Sequence, residues 1–329
     1  LMCQVKSMAE IYEANRSTCK YVHSTSRGHE AIQLATAFQL QSQDFVSPYY
    51  RDESLILGLG FTPYQQMLQL LAKGEDIFTG GREYYSHPNY RGADKPTIIH
   101  QSSATGMQAI PTTGIAQGIQ YIERHLQEKL IKGVEGELPV VLCSLGDASV
   151  TEGEVSEAFQ FAVLKQLPVI YLVQDNNWGI SVTAEEARAM NAYEFAAGFA
   201  GMNRIQVDGS DFEASFEMMR YVINTVREKR IPFLVHARVP LLGHHTSGVR
   251  KEFYRKEEDL AKLIKLQGGL LKNAATLVRP GGVLVYSTCS IEREEGPEVI
   301  EAFLEANSDF KLESFTDAFS RECLDEMDL

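Results

Sequence analysis

Two short apolar segments joined by a helical segment constrain the fold most. "LPVVLCSL" at 138–145 and "VIYLV" at 169–173 are rich in β-branched residues and carry no charge. Continuous apolar strands of this kind are typical of a parallel sheet covered on both faces. Between them, apolar residues recur at helical spacing: Val155, Ala158, Phe159, Ala162 and Val163. The pattern predicts a strand–helix–strand crossover in an α/β fold, a mostly parallel sheet with helices on both faces, and ligands beyond the carboxyl ends of its strands.

The flanking segments continue this alternation. Thr151 and Glu154 fit the capping-box pattern, which predicts the start of the crossover helix there. Helical spacing predicts a helix within 8–40, around "GHEAIQLATAFQL", and another in "IPTTGIAQGIQYIERHL". "RIQVDGSD" and "PFLVHARV" are expected to add strands. The tyrosine- and glycine-rich stretch between "VSPYYRDES" and "YRGADKP" is typical of loops shaped around a ligand.

Bulk properties exclude several classes of protein. The 329 residues are 44% apolar, which argues against long disorder. The net charge of −13 disfavours nucleic-acid binding. No apolar run is long enough for a membrane span. Five widely spaced cysteines indicate a reducing compartment, without a disulfide framework or a zinc site. We expect the bacterial cytoplasm, with the mitochondrial matrix left open because the start, "LMCQVKSMAE", resembles a truncated N-terminus.

The polar residues at the strand ends indicate a metal-bound phosphate ligand. Asp147 follows the first apolar run, beside a helix start, and Asn176 follows the second. The loop fits neither a dinucleotide fingerprint nor a P-loop. A carboxylate next to free backbone N–H groups suits a Mg²⁺-bridged diphosphate, since Mg²⁺ takes one or two carboxylates plus phosphate oxygens. Asn176 can add an amide oxygen, and Trp178 a backbone carbonyl.

These residues carry a resemblance to a known family. "GDASVTEGE…DNNWGIS" resembles the thiamine-diphosphate motif, GDG followed by NN. More narrowly, the chain resembles the alpha subunit of the decarboxylating component of 2-oxo acid dehydrogenases over about residues 8 to 255. The segments "GHEAIQLA", "SSATGMQAIP", "EAFQFAVLKQLPVI", "VDGSDFEA" and "GHHTSGVRKEFYR" follow that family's order.

The resemblance implies a thiamine-diphosphate-binding fold and a set of site residues. Mg²⁺ would be held by Asp147, Asn176 and the Trp178 carbonyl. Tyr50 and Arg51 would hold the diphosphate, the backbone at Gly106 would face the aminopyrimidine, and His245 would be catalytic. The other implied cofactor-binding residues are Ala148, Ser149, Gly179 and Ile180.

The implied activity is decarboxylation of a 2-oxo acid with transfer of the acyl group to the lipoyl arm of a partner acyltransferase. A beta subunit would complete the site in an alpha2-beta2 heterotetramer, so the chain would be active only with it. "PYYRD" and "GHHTS" favour branched-chain 2-oxo acids, the 3-methyl-2-oxobutanoate dehydrogenase type. A pyruvate- or acetoin-type subunit stays an alternative.

The chain departs from the family pattern at three points. Ala148 replaces the second glycine of GDG, which the backbone tolerates if φ stays negative. Asp175 replaces the first Asn of NN and is expected to add negative charge near the diphosphate. Gly248, Val249 and Arg250 replace an acidic pair, so that loop is expected to be ordered differently.

The tail differs in texture from the rest. From about 263 to 310, "LLKNAATLVRPGGVLVYSTCSIEREEG" resembles the Nop2/Sun family of RNA cytosine methyltransferases, in which Cys289 would be the nucleophile. We expect helices in "IKLQGGLLKNAATLV" and "EGPEVIEAFLEA", and a buried strand in "VLVYSTCS". The predicted domains are 1–258 and 259–329. A methyltransferase fragment and an inactive fusion stay alternatives to the dehydrogenase subunit.

Overall fold

The computed structural model of the protein describes residues 1–99, 104–129, 136–248, 257–286, 293 and 296–313. The chain divides into two compact units, Leu1–Tyr254 and Arg255–Leu329. The domain boundary expected after residue 258, and the separate origin of the second unit, stay predictions. Among the described residues, no helix is both long enough and apolar enough to span a bilayer.

The first unit is built on a six-stranded sheet with strand order β2-β1-β3-β4-β8-β7. Every neighbouring pair of these strands is parallel. The strands are β1 (Phe45–Ser47), β2 (Thr97–Ile98), β3 (Val141–Gly146), β4 (Val169–Asp175), β7 (Asn203–Asp208) and β8 (Phe233–Arg238). A separate antiparallel pair consists of β5 (Trp178–Gly179) and β6 (Val182–Thr183). The predicted α/β fold with a mostly parallel sheet is confirmed.

Helices cover both faces of this sheet. The described helices of the first unit are α1 (Met2–Ala14), α2 (Glu30–Ala37), α3 (Glu53–Gly58), α4 (Pro63–Leu70), α5 (Ala109–His125), α6 (Gly153–Lys165), α7 (Ala184–Ala187), α8 (Ala192–Ala196) and α9 (Phe212–Lys229). Leu142 and Ile170 point into one core with α2, α3 and α9 residues. Their neighbours Val141 and Val169 point into another core with α5, α6 and α8. Side chains alternate between faces along a strand, so the apolar runs supply both cores.

The crossover between β3 and β4 begins differently from the capping-box prediction. Residues Asp147–Thr151 form a 3₁₀ turn, and α6 starts only at Gly153 with Glu152 as its N-cap. The Thr151 hydroxyl donates to the Ala148 carbonyl instead of accepting from the helix. The capping-box prediction was therefore wrong, because the 3₁₀ turn satisfies Thr151 locally. The predicted apolar face of α6 is confirmed as buried.

Two other segments also depart from the sequence prediction. The predicted helical region at 8–40 is two helices, α1 and α2, separated by non-helical residues between them. The tyrosine-rich stretch is interrupted by α3 and α4, of which α4 begins with Pro63 and a complete capping box between Thr62 and Gln65.

The second unit contains two described helices, α10 (Glu257–Ala275) and α11 (Pro297–Ala306), as predicted. The predicted strand at 283–290 is wrong in its described part, since residues 283–286 are not in a strand. Val283 and Val285 are 70% and 71% exposed there. Residues 287–290, including Cys289, lie outside the described residues.

Candidate functional site

A cavity of about 570 Å³ lies beyond the carboxyl ends of β3 and β4. It brings together residues from distant parts of the sequence. Ten of the eleven predicted site residues line it: Tyr50, Gly106, Asp147, Ala148, Ser149, Asn176, Trp178, Gly179, Ile180 and His245. Arg51 is not among the lining residues. The loop residues Ser102, Ser103, Tyr254 and Arg255, which belong to the quoted motifs, lie outside the described residues.

Asp147 presents a buried carboxylate at the end of β3. Its side chain is 3% exposed, and Oδ2 lies 2.8 Å from Arg188 Nη2. The angles at this contact do not make a hydrogen bond, so Oδ2 has no hydrogen-bond partner. Burial, reinforced by the nearby Asp175 charge and opposed by Arg188, raises the pKa of Asp147 to about 7. A carboxylate oxygen of this kind can bind a cation, and the cation beside it in this structure is Arg188.

A buried polar network orients the Asn176 amide at the end of β4. Burial lowers the pKa of His29 to about 3, so its ring is neutral. His29 Nδ1 lies 2.9 Å from the Gln174 side-chain oxygen, and Nε2 lies 3.3 Å from Asn176 Nδ2. The Gln174 oxygen can only accept, so the ring proton is on Nδ1 and Nε2 accepts from Asn176. The amide nitrogen is thus fixed on His29, and the amide oxygen is left for Trp178 N and for a ligand.

A tight turn brings Trp178 to the cavity. Asn177 has a φ of +69°, in the left-handed region that Asn tolerates better than most residues. Its N–H donates to the Asp175 carboxylate over 3.0 Å. Trp178 and Gly179 then pair with β6, which folds the chain back on itself.

The off-pattern Asp175 does not line this cavity. Its Oδ2 lies 2.9 Å from His236 Nε2, and its Oδ1 lies 3.3 Å from Arg188 Nη2. Burial tends to raise the pKa of Asp175, but the His236 hydrogen bond and the Arg188 charge outweigh it and hold the pKa well below its usual range. The negative charge expected from the sequence is therefore present, but it is paired.

Gly106 and Ala148 lie at positions that differ in whether the backbone accepts a side chain. Gly106 has a φ of +85°, and a Cβ there would lie 3.1 Å from the Ser149 carbonyl oxygen. The positive φ favours glycine, and a Cβ would also make a tight contact there. Ala148 lies in the 3₁₀ turn and is not among the residues with positive φ, so the condition set for its tolerance is met. The Ser149 hydroxyl donates to the Gly146 carbonyl over 2.5 Å.

Tyr50, Arg51 and His245 form one unit at the opposite wall. The Tyr50 hydroxyl lies 3.3 Å from His245 Nε2. Arg51 is buried and donates to the carbonyls of His245 and Thr25 over 3.0 and 3.2 Å. Arg51 therefore positions the His245 backbone, and its predicted contact with a diphosphate stays a prediction.

Sequence reasoning missed several lining residues. Val22, His23, Ser24, Tyr84, Tyr85, His87 and Gln108 also face the cavity. The segment "EYYSHP" carries the signal for three of them, since its two tyrosines and its histidine lie in the stretch predicted to be shaped around a ligand. The Tyr85 hydroxyl donates to the Glu53 carboxylate over 2.5 Å. Burial raises the pKa of Glu53 to about 7.

The fold of the first unit is one found in solved structures. The transketolase from Campylobacter jejuni is similar in structure, with a TM-score of 0.50 at 16% identity, over 72% of this chain and 37% of that one. This likeness defines the fold, an α/β fold of the transketolase kind.

The chain belongs to the dehydrogenase E1 component family, whose model matches residues 3–314. It is 29% identical to the 2-oxoisovalerate dehydrogenase subunit alpha of Bacillus subtilis over 241 residues, 73% of this chain and 68% of the relative. It is 28% identical to the pyruvate dehydrogenase E1 component subunit alpha of the same bacterium over 244 residues, 72% of this chain and 57% of the relative. A Dictyostelium discoideum mitochondrial 2-oxoisovalerate dehydrogenase subunit alpha is 25% identical over 76% of this chain and 53% of the relative.

The chain spans about half to two thirds of the length of these curated relatives. The methyltransferase resemblance of the tail finds no support in these comparisons, and the family match runs through residue 314.

Proposed function

We propose that the chain is the alpha-subunit part of a 2-oxo acid dehydrogenase that binds thiamine diphosphate and Mg²⁺. The observation that carries the proposal is the meeting of Asp147, Asn176 and Trp178 in one cavity at the carboxyl ends of two adjacent parallel strands. Membership of the dehydrogenase E1 component family supports it.

The residues present fit such a cofactor. Asp147 offers a buried carboxylate oxygen that is ion-paired with Arg188 but accepts no hydrogen bond, and Asn176 offers an amide oxygen whose direction is fixed. Among the described residues there is no cluster of three or more His, Cys, Asp or Glu side chains able to hold a metal. A single carboxylate with neutral oxygen donors suits Mg²⁺ that keeps phosphate oxygens in its shell, and not an all-protein metal site.

When bound, thiamine diphosphate supplies the nucleophilic carbon and the electron sink for decarboxylation. The chain's own residues bind and orient. Asp147, Asn176 and the Trp178 carbonyl would hold the metal, and the Gly106 backbone would face the aminopyrimidine. His245 presents Nε2 beside the Tyr50 hydroxyl, where it can donate a hydrogen bond to the reacting 2-oxo acid. Arg51 fixes that histidine through its carbonyl.

The finer assignments rest on the relatives and on the site motifs. We favour a branched-chain 2-oxo acid, since relatives named as 2-oxoisovalerate and 3-methyl-2-oxobutanoate dehydrogenase alpha subunits match this chain. A pyruvate-type substrate is the second candidate, because a pyruvate dehydrogenase alpha subunit matches at nearly the same identity. A beta subunit in an alpha2-beta2 assembly, a lipoyl-bearing acyltransferase and a reducing compartment complete the proposal.

Calorimetric titration of the protein with thiamine diphosphate in Mg²⁺ tests the cofactor assignment. We expect saturable binding that Asp147→Asn weakens by at least about a hundredfold, because loss of a metal ligand should cost no less than the roughly 10- to 100-fold loss typical of its outer-shell partners. Asp94→Asn is the matched control, because Asp94 is an exposed carboxylate. Binding of S-adenosylmethionine in place of thiamine diphosphate would contradict the proposal.

Substrate choice requires a partner. We expect decarboxylation of 3-methyl-2-oxobutanoate in preference to pyruvate once a beta subunit is added, and none without it. Equal or greater activity on pyruvate would favour the second candidate.

A further inference from the structure

Arg188 connects the two carboxylates at the strand ends. Its Nη2 lies 2.8 Å from Asp147 Oδ2 and 3.3 Å from Asp175 Oδ1. The side chain of Arg188 is 5% exposed, and those of Asp147 and Asp175 are 3% and 9% exposed. Buried charges in contact require compensation, so this guanidinium is part of the electrostatics of the site.

The charge balance explains why an arginine is there. With Asp175 in place of the motif's asparagine, the strand ends carry two carboxylates. Arg188 cancels one of them and leaves the net charge that a single aspartate would give. His236 adds a hydrogen bond to Asp175, and Gln206 Nε2 lies 3.3 Å from His236 Nδ1, which places the ring proton on Nε2. His236 therefore donates this proton to the Asp175 carboxylate.

The fold delivers Arg188 to this point through a short, well-capped segment. The Ala184 N–H donates to the Asn177 carbonyl over 3.0 Å, closing the segment that begins with the Trp178 hairpin. Thr183 and Glu186 form a complete capping box at the start of α7. The Arg188 N–H then donates to the Ala184 carbonyl over 2.8 Å. The segment that carries Trp178 to the cavity therefore also carries Arg188 to Asp147.

Arg188 also has space on its other side. It lines a second cavity of about 440 Å³, together with Asp175, His236, Arg238, Glu185 and Glu194. Asp147 lines the first cavity and not the second. A guanidinium that leaves Asp147 can therefore keep Asp175 as its partner and move towards the second cavity.

We propose that Arg188 is a resident counter-cation: it neutralises Asp175 and occupies the Asp147 carboxylate, from which an incoming divalent metal displaces it. Arg188 is thus a positioning residue that acts through Asp147. The inference rests on the proposed function only for the identity of the metal that enters.

Manganese binding without thiamine diphosphate tests the proposal in the full-length chain. Mn²⁺ is followed by water-proton relaxation and by quenching of Trp178, the only tryptophan in the sequence. Arg188→Gln removes the competing cation, so we expect Mn²⁺ affinity to rise about tenfold over the unmodified protein. Asp175→Asn leaves Arg188 to pair with Asp147 alone, and affinity is expected to fall about tenfold. The double variant should return close to the original affinity.

Three controls make the outcome decisive. Arg238→Gln removes the same charge from the second cavity and should leave Mn²⁺ affinity within about twofold, since Arg238 is not paired with Asp147 in the described residues. Adding Asp147→Asn to Arg188→Gln should abolish the gain, which places the cation at Asp147. The double variant Asp175→Asn/Arg188→Gln leaves Asp147 as the single buried carboxylate at the strand ends, as in the family motif, so it keeps the test available if a single variant fails to fold.

Unchanged or weaker Mn²⁺ binding in Arg188→Gln, or no binding in any variant, would overturn the proposal. Titration of the same variants with thiamine diphosphate tests the proposed function separately. If Mn²⁺ behaves as expected while thiamine diphosphate binds to none of the variants, the proposed function fails and the role of Arg188 stands.

Discussion

The two units of the chain use their apolar residues in opposite ways. In the first unit, whole strands are buried, and every residue of β4 is inaccessible or nearly so. In the second unit, Leu277, Val283, Val285 and Leu312 are 87%, 70%, 71% and 72% exposed. Only Leu271 and Val299 are buried among its described apolar residues. Apolar cores lie on both faces of the sheet in the first unit, whereas the described apolar residues of the second unit are mostly exposed or partly exposed.

The difference explains where a site can be built. The network of His29, Gln174 and Asn176 keeps its geometry because apolar packing excludes water around it, which strengthens each hydrogen bond electrostatically. A side chain on the exposed surface of α10 or α11 has no such apolar packing around it. A functional site of the proposed kind therefore belongs to the first unit.

Removing an aromatic side chain from each unit tests the comparison with the largest expected effect. Phe159 is fully buried, with its ring 4.7 Å from Tyr171 and 5.5 Å from Phe199. Phe159→Ala should lower the free energy of unfolding by about 3–5 kcal/mol. In the tail, Phe303 is partly exposed and contacts Phe310 at 5.3 Å, so Phe303→Ala should cost less than about 1.5 kcal/mol. Urea titration measures both, and equal losses would contradict the comparison.

The sequence predicted the parts of the molecule that depend on local pattern. The apolar runs identified β3 and β4, and helical spacing identified α2, α5, α6, α10 and α11. Helices form from contacts within a few residues, so their periodicity is visible without a neighbour. The strand expected at 283–290 needed partner strands, which the sequence around it did not guarantee.

The site was predictable where a motif fixed both residue type and spacing. Asp147, Asn176 and Trp178 were identified at strand ends and meet in one cavity. Arg188 and His29 were not singled out, because a lone arginine or histidine has no signal until the fold brings it to its partner. The start of α6 was misplaced because a 3₁₀ turn and a capping box use the same residue types.

The pH dependence of stability gives the next test, since among the described residues a buried acid of this kind lies only in the first unit. Glu53 is fully buried, and burial raises its pKa to about 7 from an ordinary value of 4.5. Its contribution to stability is complete below pH 4.5 and is lost as pH rises through 7. Compared with Glu53→Gln, the unmodified protein should therefore lose up to about 3 kcal/mol of unfolding free energy between pH 5 and 8.

Glu313→Gln is the control for that measurement, because Glu313 is 55% exposed in the second unit. It should leave the pH profile unchanged. A Glu53→Gln profile parallel to that of the unmodified protein would show that the carboxyl group is not perturbed.

His29→Ala is expected to have a smaller effect on stability and a direct effect on the site. The substitution leaves the Asn176 amide nitrogen without its acceptor and removes the His29 donor from the Gln174 side-chain oxygen. We expect the free energy of unfolding to fall by about 2 kcal/mol. The freed amide should also weaken Mg²⁺-dependent binding of thiamine diphosphate. Thermal unfolding and calorimetry measure the two effects, with the exposed His125→Ala as control. Intact affinity in His29→Ala would mean that Asn176 is oriented by other groups.

The smallest effect is expected in the tail, where it tests whether the exposed apolar side chains are exposed in solution. Leu277 is 87% exposed, so Leu277→Ala should change the free energy of unfolding by no more than about 0.5 kcal/mol. The matched substitution in the first unit, Leu167→Ala at a fully buried residue, should cost about 2–5 kcal/mol. Denaturant titration of both variants at two protein concentrations gives the comparison. A loss above about 1 kcal/mol for Leu277→Ala would mean that this side chain is covered, and the contrast between the two units would then not hold in solution.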